Sequence, residues 1–121
     1  MSKKVINWLA VIAWLAVIFY FSNQPNLKSE FEPLWDLIFR KIAHMAEFFV
    51  LAYLFFNALS KNKVSLKKKL FLVLILTFLS AVFDEYHQSF IANRVASPVD
   101  VGIDSLGILG FVMLKLIEKR N

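Results

Sequence analysis

This sequence predicts an all-α membrane protein, with four transmembrane helices and a short interfacial helix between the first and second. Three observations carry that fold class. The chain is 59% hydrophobic, with 13 Phe and only 3 Gly and 3 Pro in 121 residues. An average soluble domain is roughly 45–50% apolar, and a chain this small could not bury so much apolar surface in water. The apolar residues also fall into four long runs without the period-two alternation of strands. Finally, most of the basic residues lie between and at the ends of those runs, as they do around bilayer spans.

The first run, residues 5–21 (VINWLAVIAWLAVIFYF), has no charge and is the length of a short span. Lys3 and Lys4 precede it, as they would in a signal peptide. FYFSNQP offers no small-residue cleavage site, so a retained helix is expected. Residues 22–41 contain Pro25, Pro33 and the piece EFEPLWDLIFRKI. Its aromatics Phe31, Trp35 and Phe39 fit either a helix lying at the interface or an ordinary polar loop. Residues 42–59 form the second span, interrupted by His44 and Glu47. Residues 70–91 form the third, ending in FDEYHQSF, and residues 99–117 the fourth, with Asp100 and Asp104 in its first turns.

Of the 14 basic residues, most fall in three clusters along the chain. Lys61, Lys63, Lys67, Lys68 and Lys69 lie between the second and third runs. Lys3 and Lys4 precede the first, and Lys115, Lys119 and Arg120 end the fourth. The positive-inside rule then places both termini and the 60–69 loop in the cytoplasm, in a bacterial cell membrane crossed several times. The net charge of +5 reads as an orientation signal and not as a nucleic-acid footprint. With no cysteine, disulfides and thiolate metal sites are excluded.

That topology brings polar groups from four segments to one outer level. Ser22, Asn23 and Gln24 end the first span. Lys41, His44 and Glu47 are spaced three apart, so they share a stripe of the second. Asp84, His87 and Gln88 share a stripe of the third, and Asp100, Asp104 and Gly107 one of the fourth. Gly107 and Gly110 are small enough to admit a neighbouring helix or a lipid chain. Ionisable groups in a membrane face the bundle interior or a watery cavity, because lipid exposure costs about 2.5–3.5 kcal/mol each on insertion scales. The expected arrangement is one polar pocket open outward, capped by the 92–98 loop with Arg94.

Each of these residues also has a plainer role. Lys41 can snorkel to the interface. His44 and Glu47 can be a structural hydrogen bond between helices. Glu85 can be a boundary charge facing the headgroups. Asp100, after Ser97 and Pro98, can be a helix-start acid favoured by the dipole. Asp104, a turn deeper, needs a partner, for which Arg94 or Lys41 is expected. Met45 and Phe48 are expected to be packing. Asp84 is hardest to read as incidental, since it follows a long uncharged stretch and lies on the side of His87.

The pieces FSNQP at 21–25, KIAHMAEFFVLAYL at 41–54 and FDEYHQSFIANRVASPVDVGIDSLGILG at 83–110 resemble the VanZ-like family, whose eponym is a teicoplanin-resistance protein. The family pattern is an F-S-x-Q-P end to the first span and a K-x-x-H-x-x-E-[YF] stripe. A D-E-x-H-Q-x-F motif followed by Arg and a D-[VI]-x-x-[ND]-x-x-G helix complete it. Order and spacing agree over most of the chain, which makes 1–121 a single VanZ-like transmembrane domain. Asp104 stands where many members have Asn, and IANR precedes Val95 where a Gly often precedes the Arg. The resemblance implies a small bacterial cell-envelope protein linked to lowered teicoplanin susceptibility without altered peptidoglycan termini. It names no particular biochemical activity and leaves the cofactor open.

Three function classes stay open. The first is a membrane-embedded enzyme on an envelope lipid or lipid-linked glycan. His44 or His87 would act as base, Glu47, Asp84 or Glu85 as orienting group or acid, and Asp100 beside them. Arg94 would hold a phosphate bidentately, and Lys41, Gln24, Gln88 and Asp104 would complete the binding surface. A divalent ion on Asp84, Glu85, Asp100 and His44 is a variant. No compact ligand motif such as H-E-x-x-H is present, so no residue is assigned to a metal. The second is a non-catalytic protein that binds a membrane lipid, a lipid-linked precursor, a lipopeptide tail or glycopeptide antibiotic, or a membrane partner. The third, a proton-coupled transporter, has no visible repeat to support it. No nucleic-acid partner is expected, and the oligomeric state is left open.

Overall fold

The computed structural model describes residues 2–22, 33–60, 64–90 and 98–120. They form α1 (Lys3–Ser22), α2 (Pro33–Leu59), α3 (Leu66–Gln88) and α4 (Pro98–Arg120), with no strand among the described residues. Each helix has a local reason for its limits. α1 runs through the uncharged stretch and stops before the polar Asn23-Gln24 pair and Pro25, a residue that disfavours helical backbone just ahead of it. α2 and α4 both open on Pro, which fits a first turn because its missing N–H would have no helical partner there. The Ser65 side chain caps α3 by accepting the Lys68 N–H at 3.3 Å.

The expected interfacial helix takes a different form. α2 is unbroken for 27 residues, about 40 Å at 1.5 Å per residue. From Pro33 onward, the amphipathic piece is therefore the opening of α2. No Gly or Pro follows Pro33 within that helix to interrupt it. Residues 23–32, which hold Gln24, Pro25 and Phe31, lie outside the described residues, as does the 91–97 connection with Arg94. α3 begins four residues ahead of its expected span and ends three short of it, at Gln88.

Side-chain contacts set the helix directions. The Trp14 indole Nε1 donates to the Glu47 carbonyl at 2.9 Å, and Asn7 Nδ2 donates to the Asn57 carbonyl at 3.2 Å. Rising numbers on α1 meet falling numbers on α2, so the two are antiparallel. α2 and α4 are parallel. His44 meets Asp104, the Phe49 ring meets Phe111 edge-on, and Lys115 Nζ lies 4.9 Å from the Phe56 ring centre. α3 runs against them, with Lys69 beside Phe56 and Asp84 beside His44. Phe19 meets Phe83 edge-on, so α1 and α3 are parallel. The result is an up-down-up-down bundle. The end of α1, the start of α2, the end of α3 and the start of α4 gather at one end of it.

α2 is the central helix. It supplies Phe48, Leu51, Ala52, Phe55, Ala58 and Leu59 to the buried core. Val11 and Ile18 join from α1, Val73 and Ala81 from α3, and Ile108 and Phe111 from α4. α4 comes close to the α2 backbone at Gly107, where an added Cβ would strike the Met45 carbonyl oxygen. Of the two glycines expected to permit close packing, Gly107 does so. Gly110 has only Phe49 Cδ2 near it, at 4.0 Å. Hydroxyls inside α3 and α4 bond back to their own helix: Thr77 to the Val73 carbonyl at 2.6 Å, Ser80 to Leu76 at 2.9 Å and Ser105 to Val101 at 2.8 Å. Such bonds leave no hydroxyl proton facing an apolar surrounding.

The outer surface is apolar. Ile12, Phe71, Leu79, Tyr86 and Leu106 all stand exposed, Tyr86 at 64%. Contiguous apolar surface of this extent calls for an apolar solvent or a partner. Two stretches, Lys3–Phe21 of α1 and Ile38–Leu59 of α2, are long and apolar enough to cross a membrane. Their composition is consistent with a membrane protein.

Candidate functional site

Three helices each send one polar side chain to a common point at the gathered end of the bundle. They are His44 from α2, Asp84 from α3 and Asp104 from α4. One ligand-type atom of each lies within 4.8 Å of the other two. Asp84 is fully buried and Asp104 is 1% exposed, while His44 is half-buried. His44 Nδ1 stands 3.3 Å from Asp104 Oδ1. That is ion-pair range, yet the two are not aligned as a hydrogen bond. Neither His44 Nδ1 nor either Asp104 oxygen has a hydrogen-bond partner among the described residues. The Phe48 ring stacks beside the imidazole at 6.5 Å between centres and, being fully buried, limits where it can turn.

Packing fixes this point. His44 and Asp104 flank the Met45–Gly107 approach, so the close α2–α4 contact there bears on their separation. Trp14 of α1 holds the backbone of Glu47 one turn along α2. The Glu47 side chain is half-buried, and Glu47 and Asp84 both lie close enough to act electrostatically on the imidazole.

The other residues singled out in the sequence fall as follows. Glu85 is buried at 8% exposure, so it is not a boundary charge facing headgroups. His87 turns its ring toward Phe19 of α1, 6.2 Å between centres, and is therefore set against α1 although Asp84 of the same stripe faces α2 and α4. Lys41 is half-buried. Asp100 lies in the first turn of α4, one turn before Asp104, and Gln88 ends α3; their side chains lie outside the described residues. Gln24 and Arg94 also lie outside them. Asp104 was expected to meet Arg94 or Lys41 and has His44 against it. The signal available for that pair was their equal depth on two helices of the same direction. Trp14, buried in an apolar run, gave no polar cue at all.

Beside this end, α1 and α3 leave a groove of about 660 Å³. Leu15, Phe19, Leu76, Leu79, Phe83 and Tyr86 line it, and its surface is almost wholly apolar. It differs from the polar pocket expected from the sequence, because its lining is apolar apart from Ser80 and the Tyr86 hydroxyl.

No curated protein and no solved structure matches the chain. The family model described as VanZ/LLP1 matches residues 7–118. That stretch takes in α2 and α3 and most of α1 and α4, with every residue of the polar cluster, and the chain belongs to the VanZ/LLP1 family.

Proposed function

We propose that the chain is a four-span protein of the bacterial cell envelope that binds, and acts on, an envelope lipid or lipid-linked glycan entering from the outer leaflet. The observation that carries this is the meeting of His44, Asp84 and Asp104, from three helices, at one end of an otherwise apolar bundle. Burying such groups is costly, and inside membranes they mark sites of ligand or proton chemistry more often than packing. An imidazole between carboxylates is suited to moving a proton at a headgroup, with His44 as base and Asp84 or Asp104 orienting it. The apolar groove between α1 and α3 gives an acyl chain a place beside the polar end. The sequence also offers Arg94, between α3 and α4, as a guanidinium suited to an anionic headgroup. Membership of the family supports a link to teicoplanin susceptibility.

The orientation is part of this proposal. α3 and α4 have 23 residues each, enough at 1.5 Å per residue to cross roughly 30 Å of hydrocarbon. Single cysteines replacing Asn23 and Ala96 should react with a membrane-impermeant thiol reagent on intact cells, and one replacing Asn62 should not. Labelling at 62 from outside would invert the bundle and put the polar end in the cytoplasm.

The chemistry is tested by isosteric change. Cells expressing the chain should become severalfold less susceptible to teicoplanin, and the purified protein should retain an envelope lipid in native mass spectrometry. Asp84→Asn and His44→Gln should abolish the effect on cells while the protein stays helical and keeps its lipid. A second reading, lipid binding without catalysis, draws on the His44–Asp104 contact, which a structural ion pair would also make. It predicts instead that lipid retention and the cellular effect fall together and gradually. A wild-type chain that retains no lipid and leaves susceptibility unchanged would overturn both readings.

A further inference from the structure

We propose that His44, Asp84 and Asp104 hold a divalent transition-metal ion, a reading that deepens the proposed function and recasts His44 from base to ligand. One imidazole nitrogen and two carboxylate oxygens form a mixed donor set that suits ions such as Mn²⁺ or Zn²⁺. The donors come from three helices, and their atoms lie within 4.8 Å of one another. Two ligand atoms that each stand about 2.1 Å from a shared ion are roughly 3–4 Å apart, depending on the angle. The 3.3 Å between His44 Nδ1 and Asp104 Oδ1 already falls in that range. Small side-chain rotations of Asp84 would bring in the third donor.

A second observation points to the same place. Asp104 is 1% exposed, and both its oxygens lack a hydrogen-bond donor among the described residues. His44 Nδ1, facing it, is likewise without one. A buried carboxylate left in this state costs stability unless a cation meets it. Two carboxylates and a neutral imidazole around a divalent ion sum to zero charge, the arrangement that apolar surroundings favour. The ligand set also differs from the one the sequence offered, because Asp104 enters by way of the parallel α2 and α4. Three protein ligands leave coordination positions open for water or a phosphate oxygen. Gly107 acts here as a positioning residue, since its lack of a side chain lets α4 approach α2 beside two of the three ligands.

The test uses the full chain in lipid nanodiscs, stripped with a chelator and titrated with Mn²⁺ alone. One saturable Mn²⁺ per chain is expected by isothermal calorimetry. Pulsed electron paramagnetic resonance should show nitrogen coupling to the ion. The chain has 2 His, so the coupling should persist in His87→Gln and vanish in His44→Gln. Asp84→Asn and Asp104→Asn should each weaken binding by at least about tenfold, with circular dichroism confirming the fold. If those variants do not fold, the wild-type and His87→Gln spectra decide the matter. Absence of saturable Mn²⁺, coupling lost in His87→Gln, or affinity unmoved by folded Asp84→Asn and Asp104→Asn would each overturn the site. The readout needs no lipid substrate, so its failure is distinguishable from failure of the proposed lipid chemistry.

Discussion

Gly107→Ala should lower the thermal unfolding midpoint sharply, whereas Gly110→Ala, three residues on, should leave it unchanged or slightly raised. Alanine in a helix is favoured over glycine by about 1 kcal/mol, so propensity alone would stabilise both variants. At 107 the new methyl meets backbone. Besides the Met45 carbonyl oxygen, the Met45 carbonyl carbon would stand at 3.0 Å and its Cα at 3.2 Å. Backbone cannot rotate out of the way, so α4 must move off α2. Overpacking of this kind costs about 1–3 kcal/mol, and a clash with main chain belongs at or above the upper end. At 110 the nearest atom is a flexible ring carbon at ordinary contact distance, so propensity decides. The same displacement would part His44 from Asp104, so Gly107→Ala should also reduce whatever the polar end does. Equal midpoints for the two variants in detergent would remove the close α2–α4 seam.

His44→Leu should be the most destabilising single change at the polar end, by about 1–3 kcal/mol, the usual cost of leaving a buried polar group without its partner. It leaves Asp104 buried with no imidazole against it and Asp84 beside it. Adding Asp104→Leu should recover most of the lost stability, because exchanging both partners for apolar groups is commonly neutral or better. The double-mutant cycle should therefore show strong coupling. Function should not recover: the double variant should be folded, unable to hold Mn²⁺ and without effect on teicoplanin susceptibility. That split separates a site from a purely structural pair. Full activity in the folded double variant, or a harmless His44→Leu, would leave the pair no functional role.

Hydropathy and charge were enough to mark the four helices, because a run of some twenty apolar residues has few other ways to satisfy its backbone. They also placed His44, Asp84 and Asp104 at one level, since depth along a helix follows directly from residue number. Helix starts were less legible. EFEPLWDLIFRKI was expected to precede the second span, yet from Pro33 onward it belongs to α2, since the first turn of a helix has no N–H bond for proline to break.

What sequence alone determined, then, was composition, helix content and depth, all of which are properties of single segments. Tertiary structure decided azimuth: which face of each helix meets which neighbour. It turned His87 toward Phe19 on α1 while Asp84, on the same stripe, met α2 and α4. It buried Glu85, set the Trp14 indole on the Glu47 carbonyl and gave Asp104 to His44. Rotation about a helix axis changes no local hydrogen bond and little local propensity. It is settled only when all four helices pack at once, with Gly107 fixing how near α4 comes to α2.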